Sequence, residues 1–176
     1  MKITVSGHIG SGKTTVAKFL GEMTGYQVYS GGYFFRKMAS QMGMTIEQFN
    51  KYAETDSTMD FKLNGMIEDF IRSNDNIIVE SRLCGWIAYS AKIPAFKVFL
   101  DAPLGVRIKR VGARENLKEL EEKVRMREDS ENFRFKEYFN FDMDDRSIYD
   151  AVIDTTEGGA EYVAEKIYSL AFPDRR

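Results

Sequence analysis

Two rhythms of apolar residues alternate along the chain. Short runs at residues 3–5 (ITV), 27–29 (QVY), 77–79 (IIV), 96–100 (FKVFL) and 151–153 (AVI) have strand length, and most are rich in β-branched or aromatic residues. Between most of them the apolar positions recur at helical spacing: Val16, Leu20 and Met23 within residues 13–23, then Met59, Leu63, Met66, Ile67, Phe70 and Ile71. Thr45 with Gln48 has capping-box spacing, and Ser57 with Asp60 resembles it. Strands that alternate with helices imply βαβ units and a parallel sheet covered on both faces. The pattern therefore predicts a three-layer α/β domain with five strands. At 176 residues, with no internal repeat or linker, one domain is expected. Ligands in such a fold collect at the carboxyl ends of the strands. That rule singles out residues 7–15, 30–36, 80–85, 101–103 and 154 onward.

Composition narrows the partners. Charged residues make up 30% and the formal net charge is −2, so neither nucleic acid nor a membrane surface is expected as the main partner. No apolar run approaches the ~20 residues of a membrane span. The N-terminus reads directly as a core strand, and the single cysteine, Cys84 in LCGWI, reads as a small buried hydrophobe. A reducing, cytoplasmic setting and small-molecule partners are the consistent expectation. Charge is distributed unevenly, however: six of the twelve arginines lie between Arg107 and Arg134.

Gly7, four intervening residues and Gly12-Lys13-Thr14 satisfy G-x-x-x-x-G-K-[ST], with a strand before and a helix after. In such a loop the glycines let backbone N–H groups turn inward around phosphate oxygens, and the following helix points its positive end at them. Lys13 adds a full charge near the β and γ groups, and Thr14 offers its hydroxyl to Mg²⁺. His8, the only histidine, lies inside the loop; its ring is expected to pack or face solvent.

The fate of the phosphate is read elsewhere. A GTPase usually carries N-K-x-D after a later strand; the fifth strand here ends in DTTEGG. A kinase with a hydroxyl acceptor needs a general base, whereas a phosphomonoester, with a second pKa near ~6, is already an oxyanion. An enzyme with such an acceptor needs arginines to hold two anions together. Arg36 in SGGYFFR and Arg82 in VESR follow the second and third strands, where an acceptor would sit. Arg110 and Arg114 are four apart, and Arg127 and Arg134 seven, so each pair projects from one helical face. Two helices with inward-facing arginines describe a lid that closes over phosphates and excludes water. Arg107 and Arg125 fall on other faces and read as solvated. Glu80, at the end of the third strand, could hold a water on Mg²⁺, and Asp101 in FLDAP reads as a cap for the next helix.

Taken together, GHIGSGKTT, SGGYFFR, VESRLCGW, FLDAP followed by R-x-x-R-x-x-x-R, R-x-R-E-x-S-E-x-x-R-x-x-E-Y and DRSIYDAVIDT resemble the short, archaeal-type cytidylate kinases, from the first strand to about Thr155. The resemblance implies a nucleoside monophosphate kinase fold with sheet order 2-3-1-4-5. It implies a single domain over residues 1–176, with inserted acceptor-binding helices at about 31–74 and a lid at about 107–137. The implied reaction is ATP + CMP (or dCMP) to ADP + CDP (or dCDP), with Mg²⁺, by a monomer. In the family's pattern Gly7, His8, Ile9, Gly10, Ser11, Gly12, Lys13, Thr14 and Thr15 bind ATP, and Arg110 flanks the adenine. Arg36 and Arg82 bind the acceptor. Lys13, Arg114, Arg127 and Arg134 act on the transferring phosphate, and Thr14 and Glu80 (through water) serve the metal. Residues 155–158 would lie by the adenine.

Departures from the pattern occur at His8 and Ile9, commonly prolines, and at Ser81, commonly glycine, which adds a hydroxyl near the acceptor. Bacterial relatives are acidic at the position of Leu83. Cytosine reading must then rest on other groups, with Asp144, Asp145 and Arg146 as candidates. Two alternatives stay open: a kinase of the same fold acting on AMP, UMP or a hydroxyl, and a switch or assembly ATPase whose arginine-rich hairpin binds protein or RNA.

Overall fold

Five strands, β1 (Lys2–Gly7), β2 (Gln27–Ser30), β3 (Ile77–Glu80), β4 (Phe96–Asp101) and β5 (Ala151–Asp154), form one parallel sheet in the order β2-β3-β1-β4-β5. The structure is a computed structural model that describes residues 1–56, 58–112 and 117–174. Each predicted apolar run lies inside a strand, and each strand runs past it by one or two residues at the carboxyl end. Those added residues, among them Gly7, Ser30, Glu80, Asp101 and Asp154, bring the chemistry to one edge. Register keeps them level: Glu80 pairs with Val5 and with Ser30, Gly7 with Leu100, and Asp101 with Asp154.

Eight helices lie among the described residues: α1 (Lys13–Thr24), α2 (Gly31–Gln41), α3 (Ile46–Thr55), α4 (Thr58–Ser73), α5 (Cys84–Ser90), α6 (Leu104–Val111), α7 (Leu117–Phe139) and α8 (Ala160–Ala171). Strand periodicity sends alternate residues to opposite faces. Ile3, Val5, Ile78, Val98 and Leu100 meet α1 and α8 through Leu20, Val163 and Ile167. Val79 and Phe99 meet α4 and α5 on the other face, through Ile67, Ile71 and Ile87. The result is the predicted three-layer arrangement. Each fully buried Leu, Ile or Phe contributes about 2–3 kcal/mol of transfer free energy.

Two smaller clusters lie beyond the central layers. Helices α2, α3 and α4 close on one another around Met38, Phe49 and Met59. Helices α6 and α7 share Ile108, Leu120 and Val124, and Ile9 of the glycine loop packs into that cluster. The far half of α7 returns to the main core through Phe135. Thr45 and Gln48 form the reciprocal capping box at the start of α3, as predicted. Ser57 lies outside the described residues; Asp56 accepts from the Thr58 N–H at 2.9 Å just before α4. Asp101 does not cap α6: its carboxylate accepts from the adjacent Ala102 N–H at 3.0 Å, and α6 begins after Pro103 with no side-chain cap. The segment APLG leaves Asp101 too far back along the chain to reach the first helical turn.

Candidate active site

The glycine loop is held in shape before any ligand arrives. Gly7, Gly10 and Gly12 have φ of 153°, 77° and 91°, where a side chain is strained. At Gly10 a Cβ would also lie 2.5 Å from the Arg107 carbonyl oxygen. The His8 carbonyl accepts from the Ser11 N–H at 3.2 Å and from the Lys13 ammonium at 2.8 Å. The first intrahelical bond of α1 runs from the Val16 N–H to the Gly12 carbonyl, so the N–H groups of Lys13, Thr14 and Thr15 lie ahead of it. Gly12 caps the helix with no side chain of its own. A helix end built this way is open to an anion.

Lys13 is partly accessible yet closely surrounded by protein atoms, and that burial draws its ammonium down to about 8; Glu80 opposes the shift and Arg82 adds to it. The Thr14 hydroxyl donates to buried Glu80 at 3.0 Å, and burial raises the Glu80 carboxyl against the pull of that bond and of Lys13. A hydroxyl and a carboxylate side by side are hard oxygen donors, the kind that suits a small divalent cation. His8 packs as expected: its ring meets Phe99 edge-on at 5.7 Å, and burial lowers its pKa against the nearby Glu128 carboxylate.

The sequence reading of Arg107 is overturned. Arg125 is exposed and pairs with Glu121, but Arg107 is buried and forks onto Glu128 of α7 at 2.8 and 3.3 Å. Arg107 is three residues from Arg110 and seven from Arg114, so helical spacing keeps it near their face, and the reading of another, solvated face fails on the sequence alone. Spacing gave no sign that α7 and the glycine loop would cover it.

The structure gathers three of the remaining arginines around carboxylates. Arg82 donates to Glu131, and to the Asn132 side-chain oxygen at 3.1 Å; its guanidinium lies 5.6 Å from the Phe135 ring centre. Arg127 reaches the other oxygen of Glu131 at 2.7 Å. Arg134 stands 3.4 Å from Asp60 of α4. Arg36, on α2, is exposed and forms no ion pair with any described residue. Arg114 lies outside the described residues. Four polar atoms between α4, α7 and the segment after β3 are buried without a hydrogen-bond partner: Asp60 Oδ2, Asn64 Nδ2, Arg82 Nε and Arg134 Nε. Asp60 Oδ2 and Arg134 Nε still face each other as an ion pair, so Asn64 Nδ2 and Arg82 Nε are the donors a polar ligand would satisfy, each leaving about 1–3 kcal/mol unmet.

On the other side of the loop an open cavity of about 430 Å³ is lined by residues 10–16, Arg110, Val111, Thr155, Gly158, Ala160 and Val163. Arg110 donates to the hydroxyl and the carbonyl of Thr155, and the Thr155 hydroxyl lies 3.2 Å from the Ser11 carbonyl. Both rims of this cavity are therefore tied together.

Other candidates have local duties. The Ser81 hydroxyl accepts from the Cys84 N–H at 2.9 Å and so satisfies the first N–H of α5. Cys84 is buried, and burial raises its thiol. Gly85 is required by space, since a Cβ there would lie 2.5 Å from the Tyr149 ring. Asp145 accepts from the Ser147 N–H and hydroxyl, Asp144 is exposed, and Arg146 lies 3.7 Å over the Phe99 ring. Sequence reasoning missed Glu128, Glu131, Asp60 and Asn64. Only Arg127 and Glu131, four apart on one helix, carried a spacing signal.

The chain is similar to known proteins in sequence and in fold. The cytidylate kinase-like family matches residues 2–157. The cytidylate kinase of Thermoplasma volcanium is 48% identical over 167 residues, covering 93% of this chain and 87% of that protein. That of Thermoplasma acidophilum is 43% identical, covering 99% of this chain and 96% of its own. Among solved structures, shikimate kinase from Acinetobacter baumannii in complex with shikimate has a TM-score of 0.66 at 19% identity, covering 99% of this chain and 94% of that one. An uncharacterized protein from Eubacterium ventriosum has a TM-score of 0.72 at 17% identity, covering 100% and 99%. At those identities the structures speak for the fold alone.

Proposed function

The chain belongs to the cytidylate kinase-like family, and from that premise we propose that it moves the γ-phosphoryl group of ATP onto CMP, and onto dCMP, giving ADP and CDP or dCDP. One observation carries the choice of a phosphate acceptor. Arg82 and Arg127 converge on Glu131, and Arg134 meets Asp60, so three guanidinium groups are gathered where carboxylates balance their charge. Those carboxylates are each paired with arginine, and Glu128 is paired with Arg107. Among the described residues near the loop, none of these is left to serve as a base. A monophosphate acceptor needs none, because its attacking oxygen is already ionised at neutral pH.

In this reading the N–H groups at the start of α1 and Lys13 hold the β and γ phosphates, and Arg110 and residues 155–158 border the adenine. Arg36 and Arg82 receive the acceptor phosphate. Arg127 and Arg134, with Arg114, surround the transferring group when the lid formed by α6 and α7 closes, while α2 to α4 clasp the acceptor. Thr14 and Glu80 would hold Mg²⁺, directly and through water, and a bound ion would supply positive charge to offset that of the phosphates.

A panel of CMP, dCMP, UMP and AMP with Mg·ATP tests the acceptor. CMP and dCMP are expected to exceed UMP and AMP in kcat/KM by about tenfold or more, as polar recognition of a base edge allows. A preference for AMP or UMP would reassign the acceptor. ATP hydrolysis unaffected by CMP and raised by a protein or RNA would support the assembly ATPase instead.

Lys13 adds a pH test. Its ammonium is charged below about 8 in the free protein and loses that charge as pH rises through 8. ATP binding is therefore expected to weaken by about tenfold between pH 7 and 9. Turnover at saturating ATP should hold to higher pH, because bound phosphates favour the ammonium. Calorimetric ATP titration across pH 6.5–9.5 reads the first effect, and a flat profile would exclude Lys13 as the group responsible.

A further inference from the structure

Ile9 is gripped at every group it possesses. Its N–H donates to Glu128 Oε1 at 3.0 Å, and its carbonyl accepts from Arg107 Nη1 at 2.8 Å. The same guanidinium forks onto both oxygens of Glu128, and its Nε donates to the Ala102 carbonyl at 3.1 Å. The Ile9 side chain packs with Ile108, Leu120 and Val124. Arg107 and Glu128 are 6% and 8% exposed, so their pairing is desolvated and strong in its geometry. Arg107 belongs to α6 and Glu128 to α7. Both helices of the hairpin thus hold one residue of the glycine loop, four positions ahead of Lys13.

We propose that Arg107 and Glu128 are positioning residues for the transfer reaction: they set the backbone of the glycine loop at Ile9, so that ATP affinity depends on the α6–α7 hairpin even though neither residue touches the nucleotide. A surface pair would serve solubility, and a pair buried between helices alone would serve only folding. This pair spends two of its hydrogen bonds on the peptide groups of a loop that leads into the open N-terminus of α1. The loop itself has glycine at 7, 10 and 12 and so has little rigidity of its own. The clamp supplies it from outside. Arg107 further closes on Gly10, where its carbonyl leaves no room for a Cβ.

The inference rests on the reading of the loop as an ATP site, and ATP binding measured by calorimetry without any acceptor separates it from the identity of the acceptor. Glu128→Ala is expected to weaken ATP binding by about tenfold or more, in line with the loss of one partner of a buried charged pair. KM for the acceptor should stay within about twofold. Glu128→Gln keeps an oxygen for the Ile9 N–H and should recover most of the loss. Arg107→Ala should match Glu128→Ala, and the double variant should be no worse than either, because the two act as a unit. Arg125→Ala, which breaks an exposed pair on α7, should leave ATP binding at the parental value. Should Glu128→Ala fail to fold, Arg107→Lys decides: an ammonium cannot serve Ala102, Ile9 and both Glu128 oxygens together, so ATP should bind at least about threefold more weakly. A lowered Tm with parental ATP affinity, in Glu128→Ala or in Arg107→Lys, would overturn the proposal. So would an equal loss for ATP and acceptor.

Discussion

Lys13→Ala is expected to lower kcat by about 10³-fold, the scale of removing one preorganised electrostatic donor from a water-excluded site. The ammonium is anchored 2.8 Å from the His8 carbonyl, at the mouth of the first turn of α1. From there it would lie beside phosphates held by the loop, and it is within electrostatic reach of Glu80 and Arg82. Negative charge spreads over the oxygens of the transferring group as it passes between partners, so a fixed cation there matters more in the transition state than in the ground state. ATP binding should fall by less, about tenfold, because the backbone donors remain. Lys13→Arg is not expected to rescue, since a planar guanidinium fork does not reproduce the compact point charge that the ammonium places on the His8 carbonyl. Single-turnover rates at saturating ATP and acceptor provide the check, and a kcat within tenfold of the parent would remove Lys13 from the transfer step.

Local chemistry explains which parts of this molecule could be read from its sequence. All five strands were legible because a parallel sheet covered on both faces demands short apolar runs, and these stand between helices with helical periodicity. The glycine loop was legible because its function is performed by consecutive backbone groups, which leave a fixed spacing in sequence. Glu80 ends β3 and Arg82 follows it, where the strand-end rule singled them out. Arg107 was misjudged for the opposite reason: its partners, Glu128 and the Ile9 peptide, are 21 and 98 residues away, and neither distance is encoded in a local period. Ser81 carries a duty the sequence did not show. Its hydroxyl accepts from the Cys84 N–H, a requirement visible only once α5 is known to start there. Glu131 belongs to the same class as Arg107. Its spacing to Arg127 is helical and readable, but its bond to Arg82 bridges two separate elements.

That bridge gives the second large effect. Arg82→Ala is expected to raise KM for CMP by about 30- to 100-fold, the loss of charged hydrogen bonds worth roughly 2–3 kcal/mol, while ATP binding stays within about twofold. The guanidinium is fixed on three sides, by Glu131, by Asn132 and by the Phe135 ring, and its buried Nε has no hydrogen-bond partner. A side chain so restrained has already lost most of its conformational freedom, so the acceptor phosphate pays little to engage it. Glu131 has a second role once Arg82 is gone. It retains Arg127, whose exposed side chain can follow it, so the charge left behind is not orphaned and the loss of stability should be modest. Arg82→Lys separates charge from geometry: a point charge restores part of the attraction but not the fork, and KM should remain about tenfold above the parent. Arg36→Ala should raise the same KM, with an effect that does not simply add if both arginines hold one phosphate. Steady-state kinetics with CMP varied at saturating ATP measure all three variants. Parental KM for CMP in Arg82→Ala would place the acceptor phosphate away from the β3 end and leave the Arg82–Glu131 pair as a brace between the sheet and α7.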